Sequence, residues 1–401
     1  MSDRASWQAL VYSNVGHSFA HIFMLLYPTV VLALEPEMSL DYDALLALAL
    51  PGAILFGAGA LPAGWLGDRW SAPGMMVIFF LATGAAAVLT GFATTPTQIM
   101  LGLAAIGLAA SIYHPVGIAW LVQSAKNRGK TLGINGIFGS LGTAGAALIA
   151  GTLSDLISWR AAFIVPGAIS LLIGVAMFAT TRGLARAEAG RPDRAPEAEP
   201  SRADVLRTFI VLSVTMICVG LIYQATSVSL PKVFATRLGE GGGAMAAGAT
   251  VSAIYLVGGL SILIGGHLAD RYPLRFVYAV FFALQVPFLL LTAQLAGPAV
   301  VGAAMMAVVF NNMLVPAESS LLAKYTPSRW RGTAFGAKFV LSLGVAAFGI
   351  PLVSLVYAQT GGLAWLYIIL ALLAALGFLA AQFLPGDSAP ARAPAPAGAD
   401  D

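Results

Sequence analysis

The chain has 401 residues, of which 59% are hydrophobic and only 10% charged, and its net charge is +3. Soluble domains carry about 25% charged residues, so this composition cannot cover a water-facing surface and lipid must solvate most of the area. The small positive excess is scattered among short loops, which points to membrane topology rather than to nucleic acid. The single cysteine, Cys218, excludes an intrachain disulfide and reads as a small packing residue of an apolar run.

A bilayer core of about 30 Å takes roughly 20 apolar residues per helix. Twelve such runs follow one another, at 8–34, 44–66, 74–94, 97–122, 131–153, 160–182, 207–231, 246–268, 274–296, 298–322, 333–357 and 363–384. The first is too long for a signal-peptide core and no cleavage pattern follows it, so a retained spanning helix is expected. Pro28, Pro51, Pro115, Pro231 and Pro316 punctuate the runs, which helices in lipid tolerate when neighbours re-satisfy the backbone. Residues 183–206, containing RAEAGRPDRAPEAEPSR, are charged and Pro-rich and read as a flexible cytoplasmic linker. The expected division is therefore an N-terminal six-helix bundle at 1–182, the linker at 183–206, a C-terminal six-helix bundle at 207–385 and a low-complexity, disordered cytoplasmic tail at 386–401.

Orientation follows from Lys and Arg. Placing both termini in the cytoplasm puts Arg4, Arg69, Lys126, Arg128, Lys130, Arg271, Arg275, Lys324, Arg329, Arg331 and Arg392 inside, with the linker arginines. Only Arg160, Lys232 and Arg237 then fall outside. A multi-pass protein of the inner (cytoplasmic) cell membrane is expected, in contact with the lipid bilayer.

The six-plus-six division invites a search for a repeat. GWLGDRW at Gly64–Trp70 returns as GHLADRY at Gly266–Tyr272, an offset of 202. Pro28 pairs with Pro231 at 203, His114-Pro115 with Val315-Pro316 at 201, and Arg128-Gly129 with Arg331-Gly332 at 203. Matches in order at nearly one offset identify a duplicated six-helix unit.

The G-x-L-x-D-R element after the second run, echoed after the eighth, resembles the loop motif of the major facilitator superfamily, and the resemblance covers about residues 8–385. GHSFAH…YP in the first run and SIYHPVG in the fourth, followed by RG and a Gly-rich fifth run, are similar to the fosmidomycin-resistance branch of exporters. Three departures stand beside this. The loop motif continues as SAPGMM without the usual basic residues, the fourth run has Leu103 near the place of an exporter's arginine, and Gly142-Thr143 replaces the antiporter Gly-Pro. An acidic residue would also be expected where His21 stands.

The resemblance implies an all-α fold of two pseudo-symmetric six-helix bundles that works by alternating access, as a monomer. It also implies that Asp68 and Asp270, with Arg69 and Arg271, latch the outward-facing state at the cytoplasmic helix ends. A carboxylate there can oppose the positive N-terminus of a neighbouring helix. The fifth run spaces glycines at 133, 136, 139, 142 and 145, which lets helix backbones approach closely.

Ionisable residues in mid-membrane are costly and are functional candidates. His17 and His21 share a helix face, with His17 roughly 13 Å in from the cytoplasmic end at 1.5 Å per residue. His114 lies at comparable depth in the fourth run. The family's first, fourth, seventh and tenth helices line its central cavity. That implies a cavity shared by His17, His21 and His114 with Tyr223, Gln224, Asn311, Asn312 and Glu318. Such a His–Glu set can bind and release a proton. The plainer reading is a neutral histidine bonded to a helix carbonyl, supporting a kink beside Pro115. Histidines four apart can chelate, but no Cys or carboxylate accompanies them in the first run, so neither a metal site nor a cofactor is expected. His267 belongs to the loop motif, at the cytoplasmic surface. Lys338 leaves two readings open: it snorkels to the interface, or it turns inward to pair with Glu318 or hold an anionic substrate.

Neither soluble segment carries a nucleophile–base set or a phosphate-binding loop, so no enzyme is expected. The expected function is secondary active transport of a small polar or anionic compound, as proton-coupled efflux. The alternative is a proton-coupled uptake symporter for a carboxylate or similar metabolite. A membrane sensor on a transporter fold is a third reading, with little in the sequence behind it.

Overall fold

An apolar segment whose amides find no water must bond within itself, and only a helix does so in one pass. The computed structural model describes residues 3–125, 128–181, 201–238, 243–327, 338 and 345–386. Among them no strand occurs, and eleven helical stretches are long and apolar enough to cross a membrane. The first half comprises α1 (Asp3–Leu25), α2 (Tyr27–Met38), α3 (Tyr42–Ala47), α4 (Leu50–Arg69), α5 (Ala72–Gly91), α6 (Pro96–Ala110), α7 (Ile118–Ser124), α8 (Arg128–Leu156) and α9 (Trp159–Thr181). The second comprises α10 (Arg202–Arg237), α11 (Gly243–Arg271), α12 (Leu274–Gln294), α13 (Pro298–Tyr325), α14 (Gly349–Thr360) and α15 (Ala364–Ala381).

Several expected boundaries shift. The first run breaks at Leu26, ahead of Pro28, and then continues as α2 to Met38. The linker is shorter than expected at its C-terminal end. Ser201 accepts the Asp204 N–H at 3.1 Å and starts α10 at Arg202, so 201–206 belong to the second half. Most of the linker, the tail, and Lys126, Arg329, Arg331 and Gly332 lie outside the described residues. Of the eleventh run only Lys338 and the stretch from 345, including α14, are described.

Within the first half α1 packs on α8, α5 on α9 and α4 on α6; in the second, α11 packs on α13, α12 on α13 and α15, and α10 on α15. Outward-facing leucines such as Leu61, Leu89, Leu172, Leu263 and Leu372 are exposed, an apolar surface suited to lipid.

The halves meet mainly along α8 and α11. Gly151 lies against the Ala244 backbone, Gly248 against Ala147 and Gly259 against Ser140. Ser252 donates to the Ala144 carbonyl and accepts the Leu148 N–H at 3.0 Å. Asp155 caps α11, accepting the Met245 N–H at 2.7 Å and the Ala244 N–H at 3.3 Å. Gly243 supplies the positive φ of 56° that turns the chain into this cap.

The contact does not run the length of the seam. At Gly133 and Gly136, nearer the N-terminus of α8, an added Cβ would meet nothing within 4 Å. Among the described residues the α8–α11 contact therefore closes at the Asp155 face and opens toward the other end of α8. At the closed face Lys232 of the second half bridges both Glu35 oxygens at 2.7 Å. Its ammonium sits 5.0 Å from the Tyr42 ring centroid and 5.7 Å from that of Tyr357. Tyr42 donates to the Val228 carbonyl at 3.3 Å, and Glu37 accepts the Trp159 indole N–H at 2.7 Å.

Candidate functional site

His17 and His21 sit one turn apart on α1, with their Nε2 atoms 3.3 Å apart. Between α6 and α7, Pro115 has no N–H to close a helical bond, and the chain opens into a π turn over Tyr113–Gly117. That turn carries His114 to the other two: its ring centroid is 5.5 Å from that of His17 and 5.7 Å from that of His21. The His17 ring stacks on Tyr113, with centroids 5.0 Å apart and planes at 24°. Its far side meets Gly139 of α8, where a Cβ would lie 2.7 Å from Nε2 and 2.9 Å from Nδ1. Only a glycine leaves room for the ring there.

Asn135 ties the three elements together. Its backbone carbonyl accepts the His17 Nδ1–H at 2.8 Å, which leaves the lone pair of a neutral His17 on Nε2. Its side-chain amide donates to Asn14 Oδ1 at 3.0 Å, and its Oδ1 accepts the Tyr113 hydroxyl at 3.2 Å. Ser18 donates to the Phe138 carbonyl at 2.7 Å and Ser13 to the Gly117 carbonyl at 3.0 Å, binding α1 to α8 and to the π turn.

The second half holds a different constellation. Glu318, in α13 just after Pro316, pairs through Oε1 with the Lys338 ammonium at 2.9 Å, with side chains only 3% and 11% exposed respectively. Tyr278 of α12 donates to Glu318 Oε2 at 2.9 Å, and Lys338 donates to Ser319 Oγ at 2.8 Å. Of the two readings open for Lys338, the inward pair is the one the structure has.

A cavity of about 50 Å³ joins the halves, lined among others by His21 and His114 from the first and Tyr223 and Gln224 from the second. Tyr223 also borders a smaller cavity with Asn311. Asn312 turns instead to α11, where its side-chain nitrogen would lie 2.6 Å from a Cβ at Gly258. The expected His–Glu meeting is thus divided. The histidines come together and face Tyr223 and Gln224, while Glu318 closes on Lys338 and Tyr278.

Asp68, Arg69, Asp270, Arg271 and His267 are exposed at the C-terminal ends of α4 and α11. Arg69 lies over the Trp65 ring at 4.3 Å. The N-terminus of α5 is capped by Ser71, which accepts the Gly74 N–H at 3.1 Å.

Sequence reasoning missed Asn135, Tyr113 and Tyr278 around the two clusters, and Glu35 with Lys232 at the closed face. The repeat offered one signal, since Asn135 stands at the repeat position of Lys338 at an offset of 203.

The family model of the Major Facilitator Superfamily matches residues 17–337 and 243–400. The chain is 25% identical over 375 residues to the 4-hydroxybenzoate transporter of Pseudomonas putida, covering 83% of this chain and 81% of that one. It is 24% identical to a putative metabolite transport protein of Haemophilus influenzae, over 86% and 87% of the two chains. Its fold resembles that of a bacterial homolog of the human lysosomal transporter Spinster, solved inward-facing and unoccupied, with TM-score 0.76, 15% identity and coverage of 96% and 98%. A D-xylose-proton symporter is similar at TM-score 0.74 and 12% identity, again over 96% and 98%. The family match does not single out the fosmidomycin-resistance branch.

Proposed function

The chain belongs to the Major Facilitator Superfamily, a transporter rather than an enzyme, and from that premise we propose that it cotransports a small organic anion with protons. Its halves rock about a site at mid-membrane, and the basic face toward which they part is the cytoplasmic one.

The observation that carries this reading is the buried Lys338–Glu318 pair. An anion that docks on Lys338 displaces the Glu318 carboxylate. A buried carboxylate without its cation is costly, so Glu318 takes a proton as the anion binds. Anion and proton then load together and leave together, which is symport. Exchange, as in efflux, would need them to compete. Under an inward proton gradient symport drives uptake, so the pair favours the carboxylate symporter over proton-coupled efflux. The relative named for 4-hydroxybenzoate, itself a carboxylate, and the structural neighbour named as a proton symporter support the same choice. Asp68 and Asp270 act on this reading as gates of the cytoplasmic face.

Proteoliposomes loaded with a pH dye test it, with 4-hydroxybenzoate as the probe. An inward gradient of the anion is expected to acidify the lumen, and Glu318→Gln to abolish that acidification while retaining anion exchange. Luminal alkalinisation would mean antiport and overturn the proposal.

A further inference from the structure

We propose that His17, His21 and His114 form a binding site for a divalent transition-metal ion of the Zn²⁺ class, with an exchangeable fourth position toward the cavity beneath Tyr223 and Gln224. One ring nitrogen from each histidine lies within 4.8 Å of the other two. Zn–N bonds of about 2.0–2.1 Å in a tetrahedron set ligand nitrogens about 3.3–3.4 Å apart. His17 Nε2 and His21 Nε2 are 3.3 Å apart, so two corners are already in place. The third ligand, on the π turn, lies within 4.8 Å of the other two, so the remaining corner needs only a small adjustment of that turn.

The surroundings resemble those of a ligand histidine rather than of a packing one. A metal-bound imidazole donates its other N–H to a carbonyl or carboxylate, which fixes ring and tautomer. His17 does so through Nδ1 to the Asn135 carbonyl at 2.8 Å, and Tyr113 and Gly139 hold its two faces. His21 needs only its proton on Nδ1 instead of Nε2, a change of tautomer without change of charge. Imidazoles alone suit Zn²⁺, Ni²⁺, Co²⁺ or Cu²⁺, whereas Mg²⁺ and Ca²⁺ demand oxygen ligands, and none is in the triad. The adjoining cavity of about 50 Å³ admits an ion with its water but falls far below the roughly 300 Å³ of an organic-ligand pocket. Met24, which also lines it, adds a soft thioether to the wall. Sequence reasoning set a metal aside because α1 offers no third ligand; the π turn between α6 and α7 brings one.

The test is a Co²⁺ titration of the full-length protein in micelles, free of any histidine tag, read by visible ligand-field absorption. A saturable, tetrahedral-type spectrum at one ion per chain, displaced by Zn²⁺ and not by Mg²⁺, is expected. His114→Gln and His21→Gln should each weaken binding at least tenfold, while His267→Gln leaves it unchanged. His114→Cys keeps a ligand, and is expected to retain binding and add a sulfur-to-metal charge-transfer band, which separates ligation from misfolding. The absence of a saturable spectrum, or one that His114→Gln leaves intact, would make the triad a hydrogen-bonded cluster and overturn the proposal. Because the readout is equilibrium metal binding, this result is independent of whether anion transport is seen.

Discussion

Lys338→Met isolates the charge pair of the second half. In the wild-type chain Glu318 has two partners, the Lys338 ammonium at 2.9 Å and the Tyr278 hydroxyl at 2.9 Å, and its side chain is 3% exposed. Methionine approximates the volume of lysine and removes only the cation. Breaking a buried pair from one side costs about 3–5 kcal/mol. The Tyr278 bond survives and, as a bond to an ionised group, is worth about 1.5–3 kcal/mol, so a loss near the lower end of that range is expected. Glu318→Leu alone strands the ammonium on Ser319 and should lose a similar amount. The double variant replaces the whole pair with apolar groups, a change that ranges from neutral to stabilising by about 1–4 kcal/mol. The measurement is a double-mutant cycle by reversible unfolding in mixed micelles. The double variant is expected to recover most of the loss of either single one, while failing to bind 4-hydroxybenzoate. Additive losses would mean that the two charges do not meet, and would remove the ground for symport.

Gly139→Ala puts a methyl group 2.7 Å from His17 Nε2, so the ring must turn away. Overpacking of this kind costs about 1–3 kcal/mol, and the Co²⁺ titration should show weakened binding alongside a lowered melting temperature. Lys232→Gln removes the ion pair that joins the halves at the closed face. If that pair is worth about 1.4 kcal/mol, the ratio of closed to open forms falls tenfold, and spin labels on α2 and α11 should show longer distances. Asp270→Asn or Asp68→Asn at the other face is expected to slow turnover several-fold in proteoliposomes with little change in anion affinity; unchanged turnover in both would return these residues to ordinary surface charges.

The helices were legible because apolar runs of bilayer length admit one backbone solution, and α5, α8, α9, α11, α12 and α13 match their runs to within about three residues at each end. The meeting of His114 with His17 and His21 was legible from depth along two antiparallel helices, together with the cavity-lining positions that the resemblance implies. What surrounds them was not. Asn135 is one small polar residue in a Gly-rich helix and carries no charge to mark its role, and Tyr278 is one of several aromatics in α12. Lys338 stayed open between two readings because the rotation of a helix about its axis is set by packing, which no single run reveals. Glu35, Glu37 and Lys232 lie beyond the expected ends of their runs at 34 and 231 because hydropathy ends where lipid ends, whereas α2 and α10 continue to Met38 and Arg237. The same cause hid the Ser201 cap and displaced the linker boundary.

The duplicated frame places unlike chemistry at matched points: Asn135 in the first half orders the histidine triad where Lys338 in the second completes an ion pair, and Gln224 occupies the repeat position of His21. The glycines of α8 show how such halves move. Gly139 and Gly142 are pressed against α1 and Gly151 against α11, each with backbone or ring where a Cβ would go. An added Cβ at Gly133 or Gly136 would meet nothing within 4 Å, although glycine within a helix costs about 1 kcal/mol relative to alanine. A close approach of these ends of α8 and α11 would give their small size a use. Gly133→Ala with Gly136→Ala should therefore favour the present, parted conformer through steric exclusion of the closed one, the gain of about 2 kcal/mol in helix propensity being common to both conformers. Spin labels at the basic ends of α8 and α11 are expected to lose their short-distance population in the double variant. If the short distances persist at wild-type occupancy, the two glycines are not part of the closing surface and the seam must close elsewhere.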